Sequence, residues 1–305
     1  MERIRLALAD RFGPPPPGEI WIGDDAAVVG CPGTKLVLSV DAAVAGVHAD
    51  LGRVSVADLG WKAVAAAVSD IGAMGARPLH ALVTLCVPPG TDLELLNAGI
   101  ADAALEWACP VVGGDLTAAG QIMVSVAVTG TLDDGPWPAV TRSGASPGDQ
   151  LMLTGPLGAS AAGLRLLGHG GSGLDPAEDS LVRAHRRPRA RVAEGRAARA
   201  GGATAMIDVS DGLAIDLHRL ALASGVGVDL HDVPVVPGAT ELEALGGGED
   251  YELVVAATDG PRLCQRFEQA GLRRPIVIGA CTDDPDQRDL RGRRMPAVGW
   301  RHNLG

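Results

Sequence analysis

Lysine is nearly missing from this chain. Lys35 and Lys62 are the only two among 305 residues, and arginine supplies the remaining positive charge. No GxxxxGK[ST] segment occurs, which excludes a Walker-type phosphate loop, and the Lys and HRD elements of a protein kinase are missing as well. Nor is there a GxSxG nucleophile elbow. The five cysteines (Cys31, Cys86, Cys109, Cys264, Cys281) are odd in number, far apart and without a CxxC pair, so neither a disulfide framework nor a zinc site is expected. No apolar run approaches the roughly 18 residues of a membrane span. The first residues, MERIRLALADRFGPPPP, lack the apolar core and cleavage site of a secretory signal. A cytoplasmic protein with no membrane partner is the expectation. Net charge is −11 at pH 7, which argues against a nucleic-acid partner. An acidic chain still binds phosphates when divalent cations stand between its carboxylates and the ligand.

What is present is aspartate in unusual places. Asp24 and Asp25 lie in GDDAAVV, Asp41 in LVLSVDAAVAGVH, Asp70 in AAAVSDIGAMGA, Asp115 in VVGGDLT, and Asp208 and Asp211 in AMIDVSDGL. A carboxylate among small apolar residues is hard to solvate and must find a cation, a donor or a proton. Any one of these could cap a helix or close an Asx turn. Seven point to a shared solution, a cluster of hard metal ions such as Mg²⁺ held by oxygen ligands. Asp70 stands out because no lysine or arginine lies between Ala63 and Ala76 to pair with it.

Residues 1–10 read as a short amphipathic helix ended by Gly13 and the Pro14–Pro17 run. Strands are expected at Ala26–Val29, at Leu36–Val40 with Asp41 at its end, at Leu79–Val87, at Val111–Val112 and at Gln121–Gly130. Helices are expected over Val56–Met74 and Asp92–Trp107, giving a sheet covered on one face. The Pro-, Gly- and Asp-rich stretch Leu132–Gly148 divides the chain into domains 1–138 and 139–305. The second domain reads as strands Gln150–Thr154, Ala205–Asp208, Val226–Leu230 and Tyr251–Ala257 with helices Ser160–Leu167, Glu178–Ala200 and Leu213–Ser224. The fold class is α/β (α+β) in two domains.

Other segments leave two readings open. Ser210 or Asp211 caps the helix starting near Leu213, or the pair forms a metal-bridged phosphate site at that helix N-terminus. GGGEDYE (Gly246–Glu252) is a polar turn or a flexible arm presenting Glu249 and Asp250. His48 is structural or contacts an anionic substrate. Gly168–Gly173 matches GxGxxG, but it follows a helix rather than a strand, which weakens a dinucleotide reading.

In order along the chain, GDDAAVV, SVDAAVAGVH, GWKAVAAAVSDIGAMGARP, VVGGDLT, TRSGASPGD, LTGPLGASAAGL, MIDVSDGL and GGGEDYEL resemble the thiamine-monophosphate kinases. The wider superfamily includes aminoimidazole ribonucleotide synthetase, selenophosphate synthetase and a hydrogenase-maturation protein. The resemblance implies an N-terminal domain that forms a homodimer through its sheet and a C-terminal domain that closes over the cleft. It implies Mg²⁺ held by Asp25, Ser39, Asp41, Asp70, Asp115, Asp208 and Asp211, with the Val40 carbonyl adding a ligand. Asp24 is then a supporting turn residue. ATP is expected against Gly114, Asp115, Arg142 and Ser210, and thiamine monophosphate against His48, Glu249 and Trp300. Three departures stand out: Ser39-Val40-Asp41 replaces Thr-Thr-Asp, Asp115-Leu116-Thr117 replaces Asp-Thr-Thr, and no aromatic lies near Gly99–Ile100.

The expected activity is phosphorylation of thiamine monophosphate by ATP through in-line transfer without a general base. The rivals are another ATP-using enzyme of the superfamily and a non-catalytic nucleotide sensor.

Overall fold

The computed structural model describes residues 15–132, 135–171 and 173–301. The amphipathic helix expected over residues 1–10 lies outside them. Two sheets organise the described chain. The first holds β1 (Ala27–Cys31), β2 (Thr34–Val44), β3 (Arg77–Val87), β4 (Val111–Ala118) and β5 (Met123–Thr131), in the order β1-β2-β5-β3-β4. All its pairs are antiparallel except β3 with β4. The second holds β6 (Gln150–Leu153), β7 (Ala205–Asp208), β8 (Gly227–Leu230), β9 (Leu253–Ala257), β10 (Ile276–Thr282), β11 (Arg288–Leu290) and β12 (Arg293–Arg294), in the order β12-β11-β8-β10-β6-β9-β7.

Between them runs helix α1 (Val56–Ala73). Ser55 caps it in a capping box with Asp58, and Gly75, at φ +67°, turns the chain away after Met74. Fifteen of its residues are buried, so α1 is enclosed on every side rather than amphipathic. Small residues make this enclosure possible. A Cβ on Gly99 of α2 (Leu93–Glu106) would lie 1.9 Å from the Ala57 carbonyl oxygen, and one on Gly195 of α5 (Val192–Gly201) would lie 1.9 Å from that of Gly72. Both neighbouring helices therefore touch α1 backbone to backbone. The face of the first sheet away from α1 carries Val40 and Leu82, both opposite Ala127 and both more than half exposed.

Three expectations change, and the chain carries further elements past the last expected strand. The single helix expected over Glu178–Ala200 is two, α4 (Pro176–Arg186) and α5, because Pro188 cannot continue the first. Asp41 is not at a strand end: β2 runs on to Val44, carrying Asp41 mid-strand. The strand expected at Val111–Val112 extends to Ala118, so the Gly-Gly pair and Asp115 are themselves in β4. Beyond Ala257 the chain adds α8 (Gly260–Gln269) and β10 to β12. The other second-domain helices are α3 (Ala159–Gly168), α6 (Leu213–Ser224) and α7 (Glu241–Gly246). No helix among the described residues is long and apolar enough to cross a membrane. All five cysteines are free.

Candidate active site

The loop before β1, the centre of β2, the C-terminal half of α1 and the end of β7 converge at one point. Asp25, Asp70 and Asp208 there offer carboxylate oxygens within 4.8 Å of one another. Hydroxyls orient two of them: Ser39 Oγ donates to Asp70 (2.5 Å) and Ser69 Oγ to Asp208 (2.5 Å). Asp25 receives the Arg142 guanidinium on Oδ1 at 2.6 Å, while its Oδ2 is buried without a hydrogen-bond partner among the described residues. Burial, and then the neighbouring aspartates, push the Asp70 and Asp208 carboxyls well above the ordinary range. Three close, buried or half-buried, all-oxygen donors with an orphaned lone pair are the chemistry of a hard divalent cation site.

Asp24 turns away and accepts from the backbone amides of Asp25 (3.0 Å) and Arg142 (3.1 Å), tying the loop before β1 to the start of the second domain. Burial and the adjacent Asp25 charge raise its carboxyl to about 6.

A cleft of about 480 Å³ opens beside the carboxylates. Asp41, Asp70, Asp208, Ser210 and Asp211 line it together with Lys62, His185 and Glu249, and His48 and Trp300 are also in its wall. The structure thus brings Asp25, Ser39, Asp41, His48, Asp70, Arg142, Asp208, Ser210, Asp211, Glu249 and Trp300 into one region. His48 accepts from the Val44 amide through Nδ1 (3.0 Å), and the Trp300 amide donates to the Asp211 carbonyl (2.8 Å).

Two expected residues are elsewhere. Asp115 lines a separate apolar cleft of about 760 Å³ with Val83, Leu85, Asn97, Ile100 and Ala104, and is not in the carboxylate cluster. Gly114 packs against β3, where a Cβ would lie 1.8 Å from the Val83 carbonyl oxygen.

Neither Ser210 nor Asp211 caps α6. Its N-cap is Gly212 with no side-chain bond, and Asp216, inside the helix, accepts the amides of Ser210 (3.1 Å), Asp211 (2.9 Å) and Gly212 (3.0 Å). That leaves the Ser210 and Asp211 side chains at the cleft, Asp211 paired with Arg219 at 2.7 Å. Sequence reasoning missed Asp216, Arg219, Ser69, Ser160, His185 and Lys62. For Lys62 a signal existed: a cation among alanines and valines poses the same solvation problem as the aspartates.

Comparison with known proteins adds to this geometry. The AIR synthase related protein, N-terminal domain, matches residues 23–132, and its C-terminal domain matches residues 146–289. The thiamine-monophosphate kinase of Mycobacterium tuberculosis is 40% identical over 295 residues, 91% of this chain and 84% of that protein. That of Corynebacterium glutamicum is 38% identical over 250 residues, 76% of this chain and 75% of that protein. A solved structure described as AaThiL complexed with AMPPCP and TMP aligns with a TM-score of 0.84 at 29% identity, covering 99% of this chain and 95% of that one. E. coli HypE, a hydrogenase maturation protein, aligns at TM-score 0.66 and 19% identity, over 100% of this chain and 97% of that one, and shows a shared fold only.

Proposed function

The chain belongs to the thiamine-monophosphate kinases of the AIR synthase related family, and from that premise we propose that it transfers the terminal phosphoryl group of ATP to thiamine monophosphate, giving thiamine diphosphate. The observation that carries this reading is the Asp25–Asp70–Asp208 cluster beside a cleft that also holds Glu249 and Trp300. The acceptor phosphate has a second pKa of about 6, so at neutral pH it is already ionised and needs no general base. The obstacle is repulsion between two anions. Mg²⁺ bound at the aspartates would supply the charge that offsets it. Arg142, fixed by Asp25, places a guanidinium at the same point, and the Ser210 turn presents its side chain there because Asp216 takes up its amide. Trp300 offers an aromatic face to the cationic thiazolium ring. Transfer is then in line, directly from ATP to the acceptor phosphate.

The apolar cleft lined by Val83, Leu85, Ile100 and Ala104, with Asp115 at its margin, suits the nucleotide base through aliphatic contacts in place of an aromatic stack. We place the domain division at residue 138. Val40 and Leu82 on the open sheet face support a homodimer formed through the first sheet. Use of ATP supports a cytoplasmic location. The test is ADP release with thiamine monophosphate as acceptor, with and without Mg²⁺. Release that depends on both supports the reading; release indifferent to the acceptor sinks it.

A further inference from the structure

Lys62 is a deeply buried cation in the cleft wall, 2% exposed on the enclosed helix α1. An ammonium in that position is costly, and apolar residues like its alanine and valine neighbours would fill the space without the desolvation penalty. Its contacts indicate what it does. Nζ donates to Glu249 Oε2 at 2.7 Å and to the His48 carbonyl oxygen at 3.2 Å. One cation on α1 therefore ties down two separate loops, each carrying a residue of the acceptor end of the cleft.

The Glu249 loop needs such a tether. Glu249 and Tyr251 have φ of +65° and +50°, left-handed conformations that are strained for residues other than glycine. Backbone bonds hold the loop from beneath: the Glu249 amide donates to the Ser210 carbonyl (2.8 Å) and the Tyr251 amide to the Val209 carbonyl (2.9 Å). Those bonds fix the main chain but leave the Glu249 carboxylate to be aimed. Burial raises the Glu249 carboxyl and Lys62 opposes the rise. The other ring near it, His185, has Nδ1 3.9 Å from Oε2 and 3.2 Å from Ser160 Oγ. Burial and then the Lys62 charge push that imidazole down to about 3, so it faces Glu249 as a neutral group. Lys62 is thus the cation that aims Glu249.

We infer that Lys62 is a positioning residue for the acceptor: it fixes the Glu249 carboxylate and the His48 loop in the geometry that recognises a donor-bearing, amino-substituted ring, while taking no part in binding ATP. This rests on the kinase reading above. The test compares Lys62→Met, Lys62→Arg, Glu249→Gln and the Lys62→Met/Glu249→Gln double variant, measuring kcat, KM for thiamine monophosphate and KM for ATP, with the melting temperature of each. Loss of a charge-assisted hydrogen bond on the recognition residue should raise KM for thiamine monophosphate about 10- to 100-fold in Lys62→Met. KM for ATP should stay within about twofold, Lys62→Arg should recover most of the loss, and adding Lys62→Met to Glu249→Gln should change little, because the two act as one unit. Equal rises in both KM values, or losses that multiply in the double variant, would overturn the inference. Should Lys62→Met fail to fold, Lys62→Arg and Glu249→Gln decide: a rise in KM for ATP matching that for the acceptor in either one also overturns it. Absence of acceptor-dependent ADP release in the wild type is a different failure and removes the kinase reading itself.

Discussion

Replacing Asp70 by Asn should make the metal-free protein more stable and the enzyme nearly inactive. Asp25, Asp70 and Asp208 present oxygens within 4.8 Å, and two unit charges at about that separation repel by about 3.5 kcal/mol at an effective dielectric of about 20. The raised carboxyls of Asp70 and Asp208 mean that part of this repulsion is relieved by protonation. About 2 kcal/mol is then the expected gain at pH 8. Asn keeps an acceptor for Ser39 Oγ, so no hydroxyl is orphaned. At about 2–4 °C per kcal/mol for a large domain, the melting temperature in EDTA should rise by about 4–8 °C.

The sign of the pH dependence follows from proton binding. A carboxyl raised in the folded state keeps a proton that the unfolded chain releases near its ordinary value of about 3.9. Stability therefore falls as pH climbs from there through the raised value, and stays lost above it. In EDTA the wild type should show this decline and Asp70→Asn a shallower one. Millimolar Mg²⁺ should reverse the order by stabilising the wild type alone. A variant that melts lower in EDTA with an unchanged pH profile, or one that turns over normally with Mg²⁺, would refute the cluster argument.

Asp41→Ala and Asp211→Ala should each lower kcat by at least about 100-fold while circular dichroism and melting stay near wild type, since neither belongs to the packed core. Gly99→Ala forces a Cβ to within 1.9 Å of the Ala57 carbonyl oxygen and should cost about 3 kcal/mol, read as a lower calorimetric melting temperature. Asp216→Ala strips the acceptor from the amides of Ser210, Asp211 and Gly212; a loss of about 3 kcal/mol in urea unfolding is expected. Turnover should fall with it although Asp216 is not among the cleft-lining residues, and unchanged kinetics would show that the turn needs no such brace.

Much of the site was legible because its residues break the rules of the core. Asp41, Asp70 and Asp208 in apolar runs have no local remedy, and the fold supplies one by bringing two of them to Asp25 and the third to the adjoining cleft. What the sequence concealed depends on non-local partners or on patterns that misdirect. β4 is an edge strand with every residue exposed, so it lacks the alternation of a half-buried strand, and its Gly-Gly pair reads as a loop. Asp216 looks like an ordinary first-turn acid, and its three amide contacts depend on the turn before it. The arginine-rich pattern that joins α4 to α5 hides the break at Pro188. α8, by contrast, carries a readable signal in Asp259, which caps it, and in the inward Leu263, Cys264 and Phe267.

Lys62, Ala66 and Asp70 all face the cleft from α1, spaced as one stripe of a helix. Eight residues at 1.5 Å each separate Lys62 from Asp70 by about 12 Å along the axis. On the kinase reading proposed above, the helix is a yardstick: its pitch sets the distance between the Lys62–Glu249 pair and the Asp70 carboxylate. Because Gly99 and Gly195 clamp α1 at backbone contact, that length cannot stretch or slip to suit a shorter or longer acceptor. On that reading, discrimination by reach comes from the helical rise itself, before any side chain is chosen.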